Sequence, residues 1–421
     1  MNNSLKLKGR YTNAEIFADT IENSVISQTI EILNQKVFEN KSIKIMPDVH
    51  AGKGCVIGFT CETPKNLIPN IIGVDIGCGM LTVKLDNVDM SKNVLEKLDN
   101  ILSENKDIPS GFKHRGTLEG VNKKYLTDLS KLHCMDSFDS ATLSKFNTGQ
   151  GTLGGGNHFI EINKSEKTNE YFLVIHSGSR YLGKKVAELY QNIAYENINN
   201  KYPIAKAKLI KEIKDRNIES EIKQIETQVE KLRNQYEKIP KDLCYLNESD
   251  SLDYFKDMNI CKEYASNNRK IIAENILKVL YNNNRLNLES FEYFETVHNY
   301  IDSMDGYIRK GSISAKNGEI VLIPMNMEYG SLICEGLGNP EYNYSAPHGA
   351  GRIMSRSKAK SECDLNEFKD RMKDVFTSSV GVNTIDESPM AYKDPSEIIN
   401  IIGETVKIID IIKPIYNFKA K

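Results

Sequence analysis

The sequence predicts an α+β protein, and three observations predict it. Short runs rich in β-branched and aromatic residues alternate with glycine loops through the first half of the chain. The middle changes to charged segments with helical spacing. The closing "IIDIIKPIYNFKAK" returns to a strand pattern. Taken in order, "IKIMPDVHAGKGCVIGFTC" reads as strand, loop, strand, and "NIIGVDIGCGMLTVKL" reads the same way. "GTLGGGNHFIEI" is a turn feeding a strand, and "EYFLVIHSGSR" is a strand ending in a polar turn. Alternation along "HFIEI" directs His158 and Ile160 to one face and Asn157, Phe159 and Glu161 to the other. "AKNGEIVLIP" reads as a hairpin strand, while 364–376 and 395–406 read as helices.

The middle carries Ile218, Ile222, Ile225, Val229, Leu232 and Tyr236, spaced 4, 3, 4, 3 and 4 residues apart. That is a heptad seam with charged residues on the remaining faces. It is too short for a free coiled coil. The expectation is a helical arm at about 203–240 packed on a partner helix, with 184–199 and 259–280 as candidates. No repeat or low-complexity linker interrupts the chain.

Composition narrows the function classes. A length of 421 residues fits two or three domains, or one enzyme-sized domain with insertions. Apolar content of 40% and charged content of 27% are those of a soluble globular protein. Fifty-five basic against 57 acidic residues leave a net charge of −2. Global attraction to nucleic acid or an anionic membrane is therefore excluded, and any polyanion site must be local. Residues 1–9 lack an apolar core, so no signal peptide is expected. No apolar run approaches ~18 residues, so no membrane span is expected. The eight cysteines are dispersed without paired metal-knuckle spacing, and read as buried thiols of a cytoplasmic protein, Cys78 excepted.

Chemistry concentrates around glycines. Of the seven histidines, His50, His158, His176 and His348 stand beside glycine-rich or turn-forming sequence. Glycine lets backbone approach a ligand closely, and four instances of one context point to a shared site. "GVDIGCG" adds Asp75 and Cys78, three residues apart. Aspartate alone suits hard cations, whereas thiolate with imidazole suits borderline transition metals. A thiolate can also bridge two ions. With His158, His176 and His298 available, a mixed site for Mn²⁺, Zn²⁺, Fe²⁺ or Co²⁺ is expected; a small buried thiol at a strand end is the alternative. In "SAPHGAGRIMSRSKA", His348 lies between proline and glycine, ahead of Arg352 and Arg356. The arginines are four apart and could share a helix face. Their forks suit phosphate oxygens, and a helix starting near Gly349 would aim its N-terminal donors at an anion. His348 is thus a candidate for attack on phosphorus or for proton transfer.

With these motifs placed, the chain resembles the RtcB family of RNA-splicing ligases. The matching stretches are "MPDVHAGKG", "GVDIGCGM", "GTLGGGNHFIEI", "HSGSR", "VHNYI", "RKGSISAKNGE" and "GNPEYNYSAPHGAGRIMSRSKA", in family order across most of the chain. The resemblance implies mixed and antiparallel sheets packed around a central metal cleft, with flanking helices. It implies one catalytic domain over 1–421 with the arm as an insertion. It implies an enzyme joining RNA 3′-phosphate or 2′,3′-cyclic phosphate ends to 5′-hydroxyl ends, in RNA repair or tRNA splicing. GTP would be the co-substrate and two Mn²⁺ per chain the metal. By motif, Cys78 would bridge the two ions, with Asp75 and His158 completing one and His176 and His298 the other. His348 would be the nucleophile that takes up GMP. Asn157, Phe159, Glu161, Tyr392, Lys419 and Arg352 would bind the nucleotide, and Arg180, Asp48 and Arg356 the RNA or its phosphates. The resemblance also allows an archease-like activator as a partner.

One segment departs from the family pattern. A "PGSMG"-like loop is replaced by "PMNMEYG" at 324–330. Met325 and Asn326 stand for the small pair and Glu328 enters, which puts guanine selectivity in question and fits a divergent repair paralogue. Two other classes stay open: a dinuclear-metal phosphoesterase acting on RNA ends without nucleotide transfer, and a non-catalytic RNA-binding module.

Overall fold

The computed structural model describes residues 4–111, 113–118, 121–233 and 239–420. Among them the strands are β1 (Leu5–Lys8), β2 (Asn13–Ile16), β3 (Ser42–His50), β4 (Ile57–Glu62), β5 (Gly79–Leu85), β6 (Phe159–Ser165), β7 (Tyr171–Ser177) and β8 (Tyr293–Val297). They continue as β9 (Asn299–Ile301), β10 (Tyr307–Lys310), β11 (Ser312–Ser314), β12 (Ile320–Asn326), β13 (Gly330–Gly336), β14 (Ser345–Pro347) and β15 (Val406–Phe418). One sheet runs β1-β2-β3-β4-β10-β9, a ribbon pairs β11 with β14, and a seven-stranded sheet runs β12-β13-β15-β6-β7-β5-β8. Only β2 and β3 pair in parallel among these ladders. The chain has the α+β class that the sequence predicts.

Alternation along β5 explains how the large sheet is covered. Leu81 and Val83 face one side, where they pack with Leu173, Ile175, Ile272 and Ile276. The last two belong to the 33-residue helix Glu248–Leu280, started by Asn247, whose side chain accepts from the Asp250 amide. Met80 faces the other side with Phe159, Val174 and Leu322. The helix thus seals one face, and the opposite face opens on the cleft. The closing strand is β15, as expected, and it sits inside the sheet between β13 and β6. Pro414 is tolerated there because the register shifts between Pro414 and Tyr416, where no ladder amide is needed.

The arm differs from its expectation. It is a run of three helices, Lys201–Arg216, Glu219–Ile222 and Ile225–Arg233, broken at Asn217, which adopts a left-handed φ of 54°. The seam packs back on Lys201–Arg216 rather than on 184–199 or 259–280. The turn makes a local hairpin cheaper than a long-range pairing. Ile218 and Ile222 stay 45% and 39% exposed, so this seam buries little. Tyr236 lies outside the described residues. The helix expected at 364–376 ends at Arg371, and Phe376 instead bridges to Tyr416. The 395–406 segment is helical over Pro395–Ile401 before the chain enters β15. No helix among the described residues is long and apolar enough to cross a membrane.

Ile213 is the buried residue of Lys201–Arg216. Ile213→Ala should cost about 2–4 kcal/mol of stability. Ile218→Ser should stay within about 0.5 kcal/mol. Denaturant unfolding of the two variants checks the contrast, and equal losses would contradict it.

Candidate active site

Strand register brings the scattered ligands together. In β5, Gly79 pairs with Ser177 of β7 on one side and with Val297 of β8 on the other. One step back, Cys78 stands opposite His298, whose backbone amide donates to the Cys78 carbonyl at 3.0 Å. His176 lies diagonal to Cys78 on β7 and directly opposite Phe159 of β6. Gly79 is required by this crowding, because a Cβ there would lie 2.3 Å from the Thr296 carbonyl oxygen. Gly178 serves the same end: a Cβ there would lie 2.1 Å from the Asp75 carboxylate.

The Cys78 sulfur lies 3.4 Å from His158 Nε2 and 3.3 Å from His176 Nε2. His158 Nε2 is also 3.0 Å from Asp75 Oδ2. His176 Nδ1 is 3.1 Å from the Asn157 carbonyl oxygen, which can only accept. The proton therefore sits on Nδ1, and the Nε2 lone pair faces the sulfur. Two donor sets result, Cys78/His176/His298 and Asp75/Cys78/His158, each with ligand atoms within 4.8 Å of one another. They share Cys78. These are the groupings expected from the motifs. His298 is 3% exposed with its Nδ1 unpartnered. Burial holds the His176 and His298 rings neutral, well below the usual imidazole range, with neighbouring imidazoles adding to it. Burial also opposes charge on Asp75, but the hydrogen bond to His158, with the charges of His158 and Arg180 and a hydrogen bond from Cys78, together outweigh it and keep the carboxyl below its usual range. Neutral imidazoles, one carboxylate and one thiol fit a pair of borderline divalent cations.

His348 joins this cluster from β14, its ring centroid 4.8 Å from that of His298. Asp48, fully buried on β3, accepts from the His348 backbone amide at 3.0 Å and from Nδ1 at 2.6 Å. A carboxylate only accepts, so Nδ1 carries the proton and the ring's lone pair is left on Nε2. Asp48, which the resemblance puts at the RNA, is thus bonded to His348. His50 belongs to neither donor set and lines the cavity wall, where burial lowers it to about 4.

A cavity of about 410 Å³ opens beside His348, His176 and His298. Asn157, Phe159, Glu161, Arg352, Arg356, Tyr392 and Lys419 all line it. Phe159 supplies a flat apolar wall, with Lys419 Nζ 5.3 Å over its ring. At the polar end Glu387, which sequence reasoning missed, gathers the cations. Its carboxylate accepts from Arg352 at 3.3 Å, Tyr392 at 2.7 Å and Lys419 at 3.1 Å, and from Arg356. Burial opposes its charge, but Lys419 and Arg356 outweigh burial and hold the carboxyl at about 2. Nothing in "DESPMAYKD" sets Glu387 apart from a surface acid until its partners are placed around it.

Two expectations change here. No helix starts near Gly349; it starts at Arg356, capped by Ser355. Arg352 and Arg356 therefore do not share a helix face, and meet on Glu387 instead. Arg180 is turned inward, donating to Thr152 Oγ1 and to the Gly111 carbonyl beside Asp75. Glu328, in the departing loop, points away from this cavity and pairs with Arg371 at 3.0 Å. Met325 and Asn326 line the wall in place of the small pair, beside Met327.

A family model described as tRNA-splicing ligase RtcB matches residues 30–420. The chain belongs to the RtcB family. Its curated relatives include RNA-splicing ligase RtcB of Escherichia coli (strain K12), 29% identical and aligned over 88% of each chain. The tRNA-splicing ligase RtcB of Methanococcus maripaludis is 26% identical, over 95% of this chain and 92% of that one. RNA-splicing ligase RtcB2 of a second E. coli strain is 22% identical, over 89% and 86%.

Glu161 yields a prediction for this RtcB-family chain. Burial raises its carboxyl from 4.5 to about 7, only partly offset by a hydrogen bond from Asn417 and the charge of Lys419. Its folded-state pKa exceeds the unfolded one, so its contribution is greatest below 4.5 and is lost as pH rises through about 7. Glu161→Gln should therefore gain on wild type by about 3 kcal/mol between about pH 5 and pH 8 without nucleotide. Chemical unfolding at both pH values measures it, and a pH-independent difference would contradict it.

Proposed function

We propose that this chain is a GTP-dependent RNA ligase, joining RNA 3′-phosphate or 2′,3′-cyclic phosphate ends to 5′-hydroxyl ends through a covalent His348–GMP intermediate. One catalytic unit spanning 1–421 would carry the reaction. The observation that carries this reading is the Asp48–His348 pair at 2.6 Å, set beside the shared-cysteine ligand cluster.

The chemistry follows from the substrate. A 3′-phosphate is a dianion and a poor electrophile towards a hydroxyl. It needs a leaving group before a 5′-hydroxyl can displace anything. With Asp48 holding the Nδ1 proton, His348 Nε2 attacks the α-phosphorus of GTP; an N–P bond forms and pyrophosphate departs. The RNA 3′-phosphate oxygen then attacks the same phosphorus, freeing His348 and leaving a pyrophosphate-linked guanylate on the RNA. The 5′-hydroxyl oxygen attacks the RNA phosphorus, the phosphodiester forms and GMP leaves. A cyclic phosphate is first hydrolysed to the 3′-phosphate. Each step adds negative charge at phosphoryl oxygens. Two Mn²⁺ held by Asp75, Cys78, His158, His176 and His298 would supply Lewis-acid stabilisation of that charge.

Phe159 would stack on the guanine, and Glu161 in its charged form suits the purine's N–H edge. Lys419 and Tyr392, held by Glu387, would meet the base or ribose, and Arg352 and Arg356 lie within reach of the same cavity. Eight unpaired cysteines suit a reducing, cytoplasmic setting.

The test is transfer of label from α-labelled GTP in Mn²⁺. Label on the protein, acid-labile and base-stable, should appear and should be lost in His348→Ala. Asp48→Asn should slow it by at least about 100-fold. Label retained in His348→Ala would overturn the nucleophile, and cleavage of RNA phosphates without any protein label would favour the phosphoesterase reading.

A further inference from the structure

Behind the ligand cluster, the helix Glu248–Leu280 presents two neighbouring polar residues, Asn268 and Arg269, both without solvent exposure. Neither touches the cavity. Arg269 Nη1 donates to the Gly77 carbonyl at 2.9 Å and to the Ser177 carbonyl at 2.8 Å, while Nε donates to Glu295 Oε1 at 3.0 Å. These partners are not scattered at random. Gly77 precedes Cys78, Ser177 follows His176, and Glu295 lies on β8, the strand that delivers His298. One guanidinium therefore holds a chain neighbour of each member of the Cys78/His176/His298 set.

Asn268 extends the pattern. Its side-chain oxygen accepts from the Gly151 and Thr152 amides at 2.7 and 3.0 Å, at the start of the loop leading to His158. Its amide nitrogen donates to the Thr152 carbonyl at 3.1 Å and to Ser177 Oγ at 2.9 Å.

We propose that Arg269 is a positioning residue of the metal centre, clamping the three chain segments that carry Cys78, His176 and His298 so that their donor atoms stand converged before any ion binds. This rests on reading those residues as a metal site. Two nitrogens of the guanidinium, Nε and Nη1, reach three acceptors in different directions, a span an ammonium on one stem cannot match. Glu295 neutralises the clamp, so it adds no net positive charge beside incoming cations. A buried ion pair is weak evidence for stability, since apolar residues of similar size often replace one without loss. Placement on the backbone of three ligand segments is what an orienting role requires, and residues orienting metal ligands typically govern affinity by 10–100-fold.

The test is Co²⁺ titration of the full chain, read by the near-ultraviolet thiolate-to-cobalt absorption and by competition with a chelator. Melting temperature serves as a folding control. Arg269→Lys should bind Co²⁺ on the order of 10–100-fold more weakly, with a diminished thiolate band. Glu295 is partly exposed, so Glu295→Ala should fold, and it should weaken binding in the same direction by a smaller factor. Wild-type affinity and band in Glu295→Ala would overturn the clamp, whether or not Arg269→Lys folds. So would wild-type binding in a folded Arg269→Lys protein. A wild-type chain that shows no thiolate band with Co²⁺ would instead overturn the metal-site reading on which the clamp rests.

Discussion

The fold turns on one contact: a thiol held 3.3–3.4 Å from two imidazoles in a water-poor pocket. Three polar ligands from distant parts of the chain cannot meet this way in solution, because ordering them costs entropy. The large sheet supplies that order. β5 lies between β7 and β8, so Cys78 meets His298 directly and His176 on the diagonal. Glycines at 79 and 178 remove the side chains that would keep these strands and Asp75 apart. The apolar face of the same strands, sealed by Glu248–Leu280, supplies the burial energy that holds polar groups together on the other face.

His348 comes from elsewhere. Asp48 lies on a strand of the six-stranded sheet and His348 follows the small ribbon, while Cys78, His176 and His298 sit on or beside strands of the large sheet. The site therefore forms only where these layers meet. Charge is balanced locally in a chain of net charge −2. Glu387 and Asp386 neutralise Arg352, Arg356 and Lys419. Under the proposed function, a nucleotide's phosphates would compete with two carboxylates for these cations, an exchange of partners rather than a simple attraction.

Much of this was legible in the sequence. Glycine context picked out His158, His176 and His348, which the structure brings together with Asp75 and Cys78 of "GVDIGCG"; it also picked out His50, which joins neither donor set, and gave no sign of His298 in "VHNYI". The strands were legible from alternation, including the C-terminal one. What was hidden depends on partners. Periodicity identifies the heptad seam but not the helix it packs on, and here the nearest helix won. The arginines at 352 and 356 read as a helix face, yet the chain before them runs through bends, with Gly351 at a left-handed φ of 74°, until Ser355 caps a helix. Glu387, Arg269 and the true partner of Asp48 were not legible, since a buried charge announces itself only through the groups around it.

The most direct measurement is anomalous diffraction at the manganese edge from crystals grown with Mn²⁺. The account predicts two peaks, both within bonding reach of the Cys78 sulfur, one beside Asp75 and His158 and the other beside His176 and His298. A single peak, or a pair that leaves Cys78 uncoordinated, would contradict it.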